Sequence, residues 1–325
     1  NVITGKKGTG KSHLAKLLVI GLATLGGVCI VLDVNGEYVN LGYTDGGEEA
    51  PLNGRVLALS PGMSFKVTLE YAGLGAVLSI MSSVLDLPAS SAWEFRRIWS
   101  RLSASRGLSL ARLEESIKRV NNDFIRDALL RRFETMTSTR FFTDDEAEST
   151  TLEECLGKVE GGGALIIDLS NMPSSFRRIV VEFVLRKLSK LLERWFIRAV
   201  FLFAEEAHLY LRETYWDDIV TRMRHIGVFT TFVTNQPDSL RGGIYRQADN
   251  IFLFNFTNEN DLAVVSRAAK VDGETVNSIA RELPPHCCLA LGEVVDDFPL
   301  VVEVKPLKVK TMGETRLFFG GVLRG

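Results

Sequence analysis

Eight residues near the start of the chain, Gly5-Lys6-Lys7-Gly8-Thr9-Gly10-Lys11-Ser12, satisfy the pattern Gly-x-x-x-x-Gly-Lys-Ser/Thr at every fixed position. What such a stretch can do is hold a polyphosphate. Glycines let the backbone curl until its N–H groups point inward at phosphate oxygens, and the N-terminus of the following helix adds partial positive charge. Lys11 can then reach the β- and γ-phosphates of a nucleoside triphosphate such as ATP, and the Ser12 hydroxyl can ligate Mg²⁺. Gly5, Lys7, Gly8, Thr9, Gly10, Lys11, Ser12 and His13 make up the nucleotide-binding set.

Hydrolysis asks for two further groups, a carboxylate on the metal side and a carboxylate that activates the attacking water. The run Val200-Phe201-Leu202-Phe203-Ala204-Glu205-Glu206-Ala207-His208 offers both, with its two acids where an apolar strand ends. Ligands bind beyond the carboxyl ends of strands in open α/β sheets. Glu205 is the expected metal-side carboxylate and Glu206 the expected general base. Asp33 and Glu37, in Asp33-Val34-Asn35-Gly36-Glu37-Tyr38, follow a second strand, and Asn235-Gln236-Pro237 closes a third, a suitable place for an amide that senses the γ-phosphate. Arg222, Arg224 and His225 precede that third strand. Taken singly these last groups are ordinary, since an Asp-Asn-Gly run is a common turn and arginines before a strand are commonly solvated.

The elements that must position these residues are also written in the chain. Asn1 to Thr4 reads as the tail of a strand, and Leu14, Leu17, Leu18, Leu22 and Leu25 recur at helical spacing over 12–25. Apolar runs at 28–32, 164–169, 199–203 and 228–233 read as strands covered on both faces. A helix over 176–195 separates two of them, and alternation of this kind predicts a doubly wound, mainly parallel sheet. Between 72 and 150 the texture changes to arginine-rich helical spacing, with helices expected over 89–102 and 109–133 and an acidic loop over 143–151. The expected organisation is therefore a first core segment, 1–71, a helical insertion, 72–150, and the rest of the core, 151–325. The last of these adds short strands at 251–256, 287–291 and 300–304.

Composition narrows the class. With 38 basic against 40 acidic residues the net charge is −2, so any nucleic acid must be held by a local patch and not by the global field. Four cysteines in 325 residues make neither a disulfide framework nor a zinc pattern, and a reducing, cytoplasmic setting is expected. The longest uncharged run, Leu17 to Leu32, is sixteen residues, short of the roughly 20 that span a bilayer, and Gly26-Gly27 interrupts it. No membrane association is expected. Only four residues precede Gly5, fewer than the usual five or six of a central strand, which predicts a cut strand in a piece of a longer protein.

Together the motifs resemble the HerA–FtsK superfamily of ring-shaped, ATP-driven DNA motors, and within it the HerA-like branch. The residues that carry the resemblance are Gly5 to Ser12, Asp33-x-x-Gly36-Glu37-Tyr38, Ile167-Asp168-Leu169-Ser170-x-x-Pro173, Glu205-Glu206-Ala207-His208, Arg224-x-x-Gly227 and Thr234-Asn235-Gln236-Pro237. The resemblance implies a RecA-like phosphate-loop ATPase domain that binds ATP and Mg²⁺. It also implies a small β-barrel upstream of residue 1, a hexameric homo-oligomer that translocates double-stranded DNA, and a nuclease or other effector as partner. It places Arg224 as a finger reaching a neighbour's ATP, and Asp33 and Glu37 near the nucleotide. Two departures stand out. The superfamily often has Asp at the position of Glu205, and its Thr-Gln-Arg-Pro becomes Thr234-Asn235-Gln236-Pro237, which leaves the sensor amide on Asn235 or Gln236.

Three functions fit these residues: a DNA translocase or helicase-type motor, a secretion or virus-packaging ATPase, and an ATP-gated scaffold for an effector. For a translocase, Arg177-Arg178 and Arg212, each following a strand that ends at the site, are the candidates for contacting DNA phosphates.

Overall fold

The computed structural model describes residues 1–44, 49–210, 224–240, 242–256, 258–266, 272–307 and 309. Arg212 and Arg222 lie outside the described residues. The chain divides into two compact units, one of Asn1–Leu57, Val159–Ile166 and Ala199–Gly325, the other of Ala58–Lys158 and Ile167–Arg198.

The described residues form a sheet of nine strands: β1 (Val2–Thr4), β2 (Val28–Asp33), β3 (Val56–Leu59), β4 (Gly163–Asp168), β5 (Val200–Glu205), β6 (Val228–Thr234), β7 (Asn250–Leu253), β8 (Cys287–Gly292) and β9 (Leu300–Glu303). Their order is β3-β4-β2-β5-β6-β1-β7-β8-β9. β5 runs parallel to β2 and β6, β1 runs parallel to β6 and β7, and β8 is antiparallel to β7 and β9. The fold is the α/β fold expected, with a mainly parallel sheet. Burial on both faces accounts for the unbroken apolar runs, and all six residues of β2 are buried. β7 ends at Leu253, short of the expected Phe256, because the chain leaves the ladder after Phe254 and sends Asn255 O to the phosphate loop. β3, a short apolar run Val56-Leu57-Ala58-Leu59 at the edge of the sheet and only partly buried, was not expected.

In the first unit, α1 (Lys11–Thr24) starts directly after Gly10 and ends before Gly26, a glycine with φ 94° that stops a helix as usual. The uncharged stretch 17–32 is thus the end of α1, a turn and β2. Among the described residues no helix is long and apolar enough to cross a membrane.

The second unit carries α2 (Leu69–Ser79), α3 (Ala89–Ala104), α4 (Leu110–Lys118), α5 (Asp123–Thr137), α6 (Leu152–Gly157) and α7 (Ser174–Glu193). The single helix expected over 109–133 is two helices, α4 and α5. Asn122 breaks it: its Oδ1 accepts the Ile125 N–H at 3.1 Å, a cap that competes with helix continuation. Asp144, in the acidic loop, caps α4 by accepting the Leu110 N–H at 2.7 Å. Edge-to-face packing of Phe141 on both Phe65 and Phe183, centroids 5.1 Å apart in each case, anchors this unit's core.

Candidate active site

The phosphate loop leaves the carboxyl end of β1 and is shaped by contacts at both of its ends. A Cβ on Gly5 would stand 2.4 Å from Phe254 Cβ, so no side chain fits there, and Gly8 and Gly10 have φ of 81° and 115°. The Lys6 N–H donates to Asn255 O, and the His286 N–H donates to Thr9 O, both at 2.9 Å. Within the loop, Lys6 O accepts from Lys11 Nζ and from Thr9 Oγ1, both at 2.8 Å. Lys11 is 7% exposed. Burial lowers its pKa, and the charges of Glu206, Glu205 and Glu37 oppose that shift. Lys7 is exposed, and Ser12 is half-buried in the first turn of α1.

Glu205 and Glu206 reach this loop because β5 and β1 flank β6 in register: Glu205 pairs with Val233, and Thr4 pairs with Thr234. Glu205 is 2% exposed and accepts a short hydrogen bond from the Tyr38 hydroxyl. Tyr38 is itself held by Asp33, whose Oδ2 accepts the Tyr38 N–H at 2.8 Å while Oδ1 accepts those of Asn35 and Glu37 at 3.2 and 3.1 Å. Asp33, expected beside the nucleotide, therefore spends its carboxylate on organising the loop 33–38. Glu37 pairs with the buried Lys16 at 2.9 Å. Tyr38 and Lys16 were missed as site residues. Lys16 carried a signal, since it lies four residues after Ser12 and so on the same helix face.

Burial pushes the Glu205 carboxyl up to about 8, opposed by the Tyr38 hydrogen bond and reinforced by Glu37, Glu206 and Asp33. A carboxyl with a raised pKa binds its proton more tightly in the folded state, so its contribution to stability is full below the ordinary value of 4.5 and is lost as pH climbs to about 8. Denaturant unfolding of the nucleotide-free protein should thus show stability falling between about pH 5 and 8, and Glu205→Gln should flatten that slope. An unchanged slope in the variant would remove Glu205 as its source.

Glu206 follows with φ 44° and ψ 46°, a left-handed conformation that is uncommon outside glycine and concentrates at functional sites. Its N–H is bonded to Val233 O at 2.8 Å, and its Oε2 is buried and has no hydrogen bond among the described residues. The His208 Nδ1 stands 3.5 Å from that oxygen and is bonded to Thr234 Oγ1 at 3.2 Å. One residue past β6, Asn235 has a buried Oδ1 without a partner among the described residues, whereas Gln236 is exposed. Of the two sensor candidates, Asn235 is the one with an unspent polar atom. The donor set of Ser12 and Glu205 is all oxygen, which suits a hard cation such as Mg²⁺.

Four expected residues sit elsewhere. The His13 ring donates from Nε2 to Lys305 O at 2.7 Å and packs edge-on to His286, tying α1 to the C-terminal strands. Arg224 lies before β6, at the opposite end of that strand from Asn235, and pairs with Asp249 at 2.9 Å. In the second unit, Arg177 donates to the carbonyls of Leu169 and Ser170 at 3.0 and 3.4 Å, and Arg178 Nε is buried without a partner among the described residues.

The fold has known counterparts. VirB4 of Thermoanaerobacter pseudethanolicus is 13% identical with a TM-score of 0.70, covering 94% of this chain and 89% of that one. The bacterial conjugative coupling protein TrwBΔN70 is also 13% identical, with a TM-score of 0.67 and coverage of 94% and 85%. The plasmid coupling protein TrwB in complex with ADP and Mg²⁺ is 12% identical, with a TM-score of 0.67 and coverage of 96% and 86%. No curated protein sequence matches. Residues 1–188, which hold the phosphate loop, the loop 33–38 and the Asp168 element, match the family described as "Helicase HerA, central domain". With more than half its length matched and the phosphate loop built as above, the chain belongs to the HerA central-domain family, in the HerA–FtsK superfamily of phosphate-loop ATPases.

Proposed function

We propose that this chain is the ATPase of a ring-forming motor that translocates double-stranded DNA, with an effector such as a nuclease docked on the ring. The observation that carries the reading is the division of the catalytic set. Lys11, Glu205, Glu206 and Asn235 converge at the carboxyl ends of β1, β5 and β6, while Arg224 sits at the far end of β6. Among the described residues one chain then supplies a site without an arginine, together with an arginine away from that site, which is what a closed head-to-tail ring requires.

In this reading the inward N–H groups of the phosphate loop and Lys11 hold the β- and γ-phosphates of ATP. Ser12 and Glu205 would hold Mg²⁺, which when bound would neutralise the charge developing on the phosphoryl oxygens. Glu206 is the general base that takes the proton of the attacking water; among the described residues its Oε2 accepts no hydrogen bond, and His208 Nδ1 stands 3.5 Å away. Asn235 orients the water or contacts the γ-phosphate. The helical stretch 72–150 is a subdomain added to this ATPase core.

Glu206→Gln should bind ATP and slow turnover by roughly 10² to 10⁴, the usual worth of general-base catalysis. Glu205→Gln should instead raise the Mg²⁺ concentration at half-maximal rate. Steady-state ATPase with and without duplex DNA tests the wider reading: stimulation by DNA supports the motor, and a rate indifferent to DNA in assembled rings would sink it in favour of a scaffold.

A further inference from the structure

In the helical unit, α3 and α4 with the turn into α5 enclose a cleft of about 590 Å³, within the range of small-ligand sites. Four arginines line it, Arg97 and Arg101 from α3 and Arg112 and Arg119 from α4. Arg97 and Arg119 are neutralised by Glu94 and Glu115 at 2.8 and 2.5 Å. Among the described residues Arg101 and Arg112 have no carboxylate partner, so the cleft keeps two unspent guanidinium groups. Two large rings are exposed near the cleft without lining it. Trp93, 65% exposed, lies one turn before Arg97 and under its guanidinium, so that Trp93, Arg97 and Arg101 form one stripe of α3. Phe124, 89% exposed, lies between the lining residues Asn122 and Ile125.

We propose that this cleft binds a short stretch of single-stranded nucleic acid, with Arg101 and Arg112 on its phosphates and Trp93 and Phe124 stacking its bases. Guanidinium groups placed next to solvent-facing rings match the way strands are held without sequence preference, by backbone charge and base stacking together. An acidic peptide would use the arginines and leave both rings unexplained. A duplex would keep its bases stacked inside and out of reach of the rings. The site stands on the helical unit alone and is independent of the motor reading.

The test uses the full chain without ATP and a fluorescein-labelled oligothymidine, read by anisotropy across a salt series. Arg101→Ala combined with Arg112→Ala should weaken binding at least tenfold and lower the salt slope by about 1.4, two contacts at about 0.7 each. Trp93→Ala should weaken it roughly 5- to 150-fold, the worth of one stacked base. Lys11→Ala should bind the oligonucleotide as wild type does, and the arginine variants should keep basal ATPase and melting temperature, which separates this site from the nucleotide site. An affinity and salt slope unchanged in the double variant, or no binding by wild type, would overturn the proposal. So would equal loss of a polyglutamate peptide with no effect of Trp93→Ala, which would make the cleft an acidic-peptide site.

Discussion

Lys11→Ala should reduce ATP turnover to background, a loss of at least about 10³, the upper worth of a single electrostatic contact to a transition state. The size follows from charge balance. Glu37, Glu205 and Glu206 all act on the Lys11 ammonium; of the other lysines described nearby, Lys16 is already paired with Glu37 and Lys7 is exposed to solvent. Without Lys11 an incoming triphosphate meets these acids with only the solvent-exposed lysines of the loop to offset them, so binding should weaken as well as chemistry. Fluorescent-nucleotide titration and phosphate release measure the two effects separately, and an unchanged melting temperature shows that the fold survives. Hydrolysis undiminished in this variant would dismiss the whole site.

Arg224→Ala should leave nucleotide binding intact and slow hydrolysis by about 10³ to 10⁵, the range for an arginine that completes a neighbour's site. β6 is seven residues long, so at a rise of about 3.3 Å per residue Arg224 lies on the order of 20 Å from its own chain's phosphate loop. Contact within one chain is out of reach. Mixing Arg224→Ala with Lys11→Ala subunits should therefore restore activity at interfaces where an intact loop faces an intact arginine. No recovery in assembled mixed rings would end the trans assignment. Asp249→Ala supplies the control: if Arg224 mattered only through its pair with Asp249, this change would reproduce the loss.

Much of the site was legible because its pieces are local. The phosphate loop is eight consecutive residues, and Glu205-Glu206 terminates an apolar strand that any parallel sheet would bury. What stayed hidden depends on pairs distant in the chain. The Tyr38 hydroxyl finds Glu205 across 167 positions, and no spacing rule links an aromatic in a turn to an acid on another strand. Asp33 looked like a ligand because an acid after a strand is where ligands lie, yet three backbone N–H groups of its own loop claim it. The choice between Asn235 and Gln236 likewise turned on burial of one amide oxygen. In the helical unit, periodicity ran straight through the α4–α5 junction because the apolar residues stay in phase there, and only the Asn122 cap reveals the break.

The neighbours of β1 bear on how the protein is made. β1 is hydrogen-bonded to β6 and β7, and the loop behind it is held by Asn255 and His286. On a ribosome the phosphate loop therefore emerges more than two hundred residues before the first strand that can support it. At 5–20 residues per second the nascent chain spends roughly 10 to 45 seconds with its nucleotide loop unformed and both edges of β1 unpaired. ATP cannot template folding during that interval. Nor does the family-matched span 1–188 contain either partner strand, so a fragment ending there carries the motif without the means to build it.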